Sequence, residues 1–256
     1  MAFEIIDFHM HPFLDPADNL CHHKDILQLS VDTTPQEMKN AGISRFCGSV
    51  IKLAEKTTFE LIKACNRDAL ALRERYEGAY IPGFQVHPDF IEESIAEIDF
   101  AHENDVRLIG EIVPYCHHWE DYSCPEFSVL LDHIEKYDMP VSVHSGNQDQ
   151  LERMALAHPH VNFVFAHPNE KASVLRHIEI MKKCDNVCLD ISGTGILRYG
   201  MIKRLVEQCG AERILFGTDY PIGGLELYIT SILTEKITDR DRELIFNDNA
   251  KRLLHL

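Results

Sequence analysis

The sequence predicts a single (β/α)8 barrel of the TIM type, on three observations. Eight short apolar runs rich in Val, Ile and Phe recur along the chain, segments of helical periodicity separate them, and 256 residues accommodate eight such units. Runs that are apolar throughout are the pattern of parallel strands covered on both faces, and a helix between them is the usual parallel crossover. A doubly wound open sheet is the competing architecture. It is disfavoured because "DFHMHP" stands where a glycine-rich GxGxxG turn would follow the first strand.

The strand runs are, in order, "FEIIDFH", "RFCGSVI", "AYIPGFQV", "RLIGEIV", "PVSVHS", "NFVFAH", "NVCLDIS" and "ILFGTDY". Helical periodicity marks 57–76, 89–103, 126–137, 170–183 and 197–209. The first of these opens with Thr57, Thr58 and Glu60 in a capping-box-like pattern, and Gly78 follows its end. Residues 12–34 form the longest irregular stretch, of a length that often serves as a lid or substrate loop. With no internal repeat, low-complexity tract or Gly/Ser linker, residues 1–256 read as one domain.

Composition narrows the function. At 45% hydrophobic and 26% charged residues the chain is of ordinary globular type, and its net charge of -16 argues against a nucleic-acid or anionic-membrane surface, which needs clustered Lys and Arg. No stretch approaches the ~18–20 apolar residues of a membrane span, and no basic segment with an apolar core opens the chain. The expectation is a cytoplasmic protein whose partner is a small-molecule substrate, with room for a homo-oligomer. The eight cysteines form no CxxC pair and several sit in apolar runs, so reduced, mostly buried thiols are expected.

In such a barrel the C-terminal strand ends converge on one face, where catalytic groups sit. His9 and His11 end the first strand run, and on a strand a His-x-His pair shares one face with Cα atoms roughly 6.5 Å apart. Alone the pair is weak, because fifteen histidines make chance neighbours common. The other strand ends strengthen it: Glu111 in "LIGEI", His144 in "PVSVHSG", His167 in "FVFAHPN" and Asp219 in "ILFGTDYP". Singly, each has a structural explanation as a core histidine, a solvated strand end or a turn residue. Six polar groups ending five apolar strands are costly unless something satisfies them. Neutral imidazoles and carboxylates suit Zn, Mn, Fe or Ni, and six ligands suffice for one or two ions with Glu111 as the natural bridge.

The ordered set from "DFHMHP" through "PVSVHSG", "FVFAHPN" and "ILFGTDYP" to "NDNAKRLL" resembles the amidohydrolase superfamily, in its amidohydrolase-related branch of metal-dependent hydrolases, lactonases and decarboxylases. The resemblance implies that His9, His11, His144 and Asp219 are metal ligands and that His167 is a ligand or catalytic histidine. Many single-metal members lack an acid on strand four. There "RLIGEI" is similar to the "GEIG" segment of TatD-type nucleases, which implies a bridging role for Glu111, while the acidic charge gives no path for a polyanion. The polymerase-and-histidinol-phosphatase family also begins with His-x-His but ends its metal set in Asp-x-His, where this chain has Asp219, Tyr220 and Pro221.

The expected chemistry is metal-assisted hydrolysis of a small lactone, cyclic amide or related ester or amide, with one or two divalent ions. Zn is the first expectation, Mn or Fe the alternatives. Asp219 is the expected general base and His167 the next catalytic group. Non-oxidative decarboxylation of a small unsaturated acid, a TatD-like phosphodiesterase and a non-catalytic metal-binding barrel are the other readings, and fold alone does not choose among them. Arg198 and Lys52 are the expected clamps for an anionic substrate, with Trp119 a further binding residue. Cys21, His22 and His23 in the long first loop are expected at the surface.

Overall fold

The computed structural model describes residues 3–256, which form a (β/α)8 barrel. Its strands are β1 (Ile6–Asp7), β2 (Arg45–Ser49), β3 (Tyr80–Phe84), β4 (Leu108–Ile112), β5 (Val141–His144), β6 (Phe163–Ala166), β7 (Val187–Asp190) and β8 (Ile214–Leu215), all parallel and in sequential order. The helices are α1 (Thr34–Asn40), α2 (Phe59–Arg75), α3 (Ile91–Glu103), α4 (Pro125–Glu135), α5 (Gln148–Ala157), α6 (Lys171–Met181), α7 (Met201–Cys209) and α8 (Leu225–Thr234). Two more, α9 (Asp239–Glu243) and α10 (Asn249–Leu254), follow at the C-terminus, joined by one wider turn. Among the described residues, no helix is long and apolar enough to cross a membrane.

The runs are apolar throughout because each strand has two apolar faces to satisfy. Val141, Val143, Phe163, Phe165, Val187 and Leu189 pack with helix residues such as Leu151, Val174 and Ile178 in the outer core. Their alternates Val164, Cys188 and Leu215 join Ile6, Cys47, Ile81 and Leu108 in a second cluster, which Ala250, Leu253 and Leu254 of α10 complete. Each fully buried Phe or Ile contributes about 1.5–3 kcal/mol of transfer free energy, so both layers stabilise the barrel without a disulfide. All eight cysteines are free.

Two local expectations are corrected. Regular strand geometry in β1 stops at Asp7, so His9 and His11 are not on a strand face. They are held instead between neighbours on both sides: Phe8 N donates to Phe216 O (2.8 Å), Met10 N to Cys47 O (3.0 Å) and His11 N to Tyr220 O (2.7 Å), the first and last of which close the barrel between its two ends. In α2 the cap is Thr58, whose hydroxyl accepts from Leu61 N (3.3 Å), and Glu60 takes no part. Gly110 in β4 has φ +94, and a Cβ there would lie 2.1 Å from Ser142 O. Only glycine allows β4 to approach β5 this closely just before Glu111.

Candidate metal centre

The structure brings His9, His11, Glu111, His144, His167 and Asp219 together at the C-terminal mouth. His9 and His11 turn their Nε2 atoms toward each other at 3.3 Å. Asp219 Oδ1 lies 3.5 Å from both. Glu111 sits between two groups of these side chains. Its Oε2 is 3.2 Å from His11 Nε2 and 3.6 Å from His9 Nε2, while its Oε1 is 2.9 Å from His167 Nε2 and 3.2 Å from His144 Nδ1.

The backbone pays for this convergence at two of these residues, since His167 (φ 30) and Asp219 (φ 56) occupy the left-handed region that non-glycine residues avoid. Asp219 O accepts from Ile222 N (2.7 Å) and Gly223 N (3.1 Å), so the chain turns just beyond it, while Tyr220 still pairs with Met10. Each imidazole of the first pair is oriented from behind. His9 Nδ1 is 2.6 Å from Asp190 Oδ2 and His11 Nδ1 is 3.1 Å from Ser49 O, so both Nδ1 atoms donate outward and both Nε2 atoms face inward. Asp7 Oδ1 accepts from His9 N (3.0 Å) and Thr218 N (3.1 Å), pinning the seam between the first and last strands.

Electrostatics follow from that crowding. Burial alone would raise the Glu111 carboxyl, but the His167 and His9 imidazoles outweigh it and hold it well below the usual carboxylate range. Burial would likewise lower His9, yet Asp190 and Glu111 hold it well above its ordinary value. Burial pushes Asp7 up to about 7 against the hydrogen bonds from Thr218 and His9. The donor set fits a metal on two counts. His9, His11 and Asp219, and separately His9, Glu111 and His167, each bring three ligand atoms within 4.8 Å of one another. In addition, Asp219 Oδ1, which faces the Nε2 atoms of His9 and His11, is a buried polar atom with no hydrogen-bond partner.

A cleft of about 170 Å3 opens over these groups, walled by Leu20, Ile51, Val113, Tyr115 and Ile222. His22 also lines it while staying exposed, and His23 is exposed beside it, so the long first loop reaches the site from the surface; Cys21, expected at the surface with them, is buried instead, 7% exposed. The two expected clamps are corrected, because neither Lys52 nor Arg198 lines the cleft. Lys52 is held between Asp18 and Asp68 (2.7 Å to the latter), and Arg198 turns back to Gly195 O at 3.4 Å. Trp119 walls a side pocket that shares Tyr115 and His144 with the cleft. Sequence reasoning missed Asp190, although it ends the apolar run "NVCLDIS" as the six chosen residues end theirs, and the same criterion would have found it.

The amidohydrolase family model matches residues 6–256. The chain belongs to the amidohydrolase family. This amidohydrolase is similar in fold to the 2,6-dihydroxybenzoate decarboxylase from Rhizobium (16% identity, TM-score 0.76, 99% of both chains covered). It is also similar to a dihydroxybenzoic acid decarboxylase from Polaromonas holding manganese and the inhibitor 2-nitroresorcinol (14% identity, TM-score 0.79, 99% of this chain and 97% of that one). A probable 2-pyrone-4,6-dicarboxylic acid hydrolase from Acinetobacter baumannii shares 12% identity at TM-score 0.72, with 99% of this chain and 100% of that one covered. No curated protein matches the sequence. At these identities the structural likeness shows the fold, and the reaction has to be argued from the site.

Proposed function

We propose that this amidohydrolase is a metal-dependent hydrolase of a small carbonyl compound, a lactone, cyclic amide or related ester or amide. The observation that carries the reading is the division of the Glu111 carboxylate, with Oε2 toward His9 and His11 and Oε1 toward His144 and His167. One oxygen per group is the arrangement of a carboxylate that serves two ions. His9, His11 and Asp219 would hold one, His144 and His167 the other, with Glu111 shared; Zn is the first choice and Mn or Fe the alternatives. A divalent metal there supplies Lewis acidity toward the carbonyl and lowers the pKa of water toward ~7.

The protein's own groups do the rest. Asp219 faces both Nε2 atoms through Oδ1 and keeps its side chain 12% exposed at the floor of the cleft, within reach of water. Its carboxylate accepts the proton of the attacking water and returns it to the leaving group. Asp190 and the Ser49 carbonyl keep the two imidazoles in the required tautomer. Leu20, Ile51 and Ile222 give the cleft apolar walls against which an apolar part of the substrate would pack.

The test is a panel of lactones, cyclic amides, phosphoesters and unsaturated carboxylic acids with Zn- and Mn-loaded protein, following ring opening, phosphate release and CO2 release separately. Ring opening with an acidic limb in the pH profile is the expected result. CO2 release without hydrolysis would move this chain to the decarboxylase chemistry that the names of the Rhizobium and Polaromonas proteins carry.

A further inference from the structure

The surroundings of the metal ligands have an unusual charge character for a site in which Lys52 and Arg198 were expected to grip an anion. Neither the main cleft nor the side pocket behind Tyr115 is lined by any Lys or Arg among the described residues. A third, more open hollow past His167 contains Arg176, but that guanidinium is committed to Asp149 (2.8 Å) and to Glu152. The protein as a whole carries -16.

The side pocket has a definite shape. It measures about 170 Å3 and is bounded by Pro114, Tyr115, Trp119 and Tyr122, with Glu120, Gln150 and the α5 N-terminus at Gly146 and Asn147 completing its lining. Its aromatic wall is rigid: Trp119 packs on Tyr122 (5.5 Å between ring centroids) and on Phe127 (5.1 Å), and the Tyr122 hydroxyl donates to Ile112 O (3.0 Å). Tyr115 meets the His144 ring edge-on at 5.1 Å and so stands between this pocket and the metal ligands. An apolar cavity of about 150 Å3 holds one benzene ring.

We infer that this side pocket is the specificity subsite, and that it selects a substrate whose reacting carbonyl carries an uncharged aromatic or similarly compact apolar group. The inference rests on the hydrolase reading only for calling the occupant a substrate. An aryl group stacked against Trp119 and Tyr122 places its attached carbonyl past Tyr115 toward His144 and Glu111. A carboxylate on the same ring would meet no Lys or Arg, and the bordering α5 N–H groups of Asp149 and Gln150 already donate to Asn147 Oδ1 (3.1 and 3.3 Å), so most of its desolvation would go uncompensated.

Trp119 is the chain's single tryptophan, so its emission reports on this pocket directly and without turnover. Benzamide and its para-carboxylate are titrated into the Zn-loaded protein. Benzamide is expected to shift the Trp119 emission saturably, and the carboxylate to bind at least about tenfold more weakly. Gln150→Lys, which places a cation at the pocket edge, should narrow or reverse that difference, and Glu120→Gln at an exposed position should strengthen carboxylate binding alone. Carboxylate binding as tight as benzamide binding, or benzamide binding that leaves Trp119 emission unmoved, overturns the inference. Benzamide binding as expected with no hydrolysis of any ester or lactone would sink the hydrolase reading and leave the subsite standing. Hydrolysis with carboxylated esters preferred would do the reverse.

Discussion

Asp190→Asn is the most incisive substitution available at this site, because the structure fixes what the amide must do. Asp190 is fully buried, and its Oδ1 already accepts from Ser192 N (2.9 Å) and Ser192 Oγ (2.5 Å), while its Oδ2 faces His9 Nδ1 at 2.6 Å. An asparagine that keeps its oxygen against Ser192 presents its NH2 to His9 Nδ1. His9 then has to accept there and carry its proton on Nε2, the nitrogen that faces His11, Glu111 and Asp219. The flipped amide keeps the His9 tautomer but sets NH2 against the Ser192 N–H, leaving a buried donor unsatisfied. Either way a charge-assisted hydrogen bond of about 1.5–3 kcal/mol is exchanged for a neutral or repulsive contact. Loss of such a backing group costs about 10–100-fold in metal affinity. Competition against a chromophoric chelator, with circular dichroism to confirm the fold, measures it. Unchanged affinity in a folded Asp190→Asn protein would refute the reasoning that Asp190 sets the His9 tautomer.

The remaining expectations concern other residues. Glu111→Gln should lower bound metal by about one equivalent while the barrel stays folded, since the amide offers only one oxygen to the two groups; elemental analysis giving the same stoichiometry would make Glu111 a substrate or supporting residue. Asp219→Asn should retain most of the metal and lower kcat by at least ~100-fold, and loss of metal together with activity would show Asp219 to be chiefly a ligand. Burial lowers both His117 and His177 from 6.5 to about 4, so between those values the unfolded chain binds more protons than the folded one. Their contribution is present above 6.5 and is lost as the pH falls toward about 4, by up to about 3 kcal/mol for each. Urea unfolding at about pH 7 and about pH 5 checks this, and His177→Asn should flatten the dependence; an equal dependence in that variant would contradict the assignment.

Much of this molecule was legible in its residues. The eight apolar runs became the eight strands, because burial on both faces is a local property of a strand that composition records directly. His144 and Asp219 could be picked out for a related reason: a polar residue that ends an apolar run in a parallel barrel has only the mouth to face. What the sequence did not decide is set by contacts between distant segments. Lys52 is neutralised by Asp18 and Asp68, residues 34 positions before it and on a different element after it, and no pattern around "IKLAEK" announces either partner. The same holds for Asp190, whose importance comes from His9 at a separation of 181 residues. His9 and His11 converge although regular β1 ends at Asp7, because Phe216, Cys47 and Tyr220 hold the backbone from both sides. Only the closed barrel divides the two oxygens of Glu111 between four histidines, since that division depends on the relative height of four strand ends. Periodicity fixes which way a side chain faces; distance and charge pairing across the fold decide what it meets there.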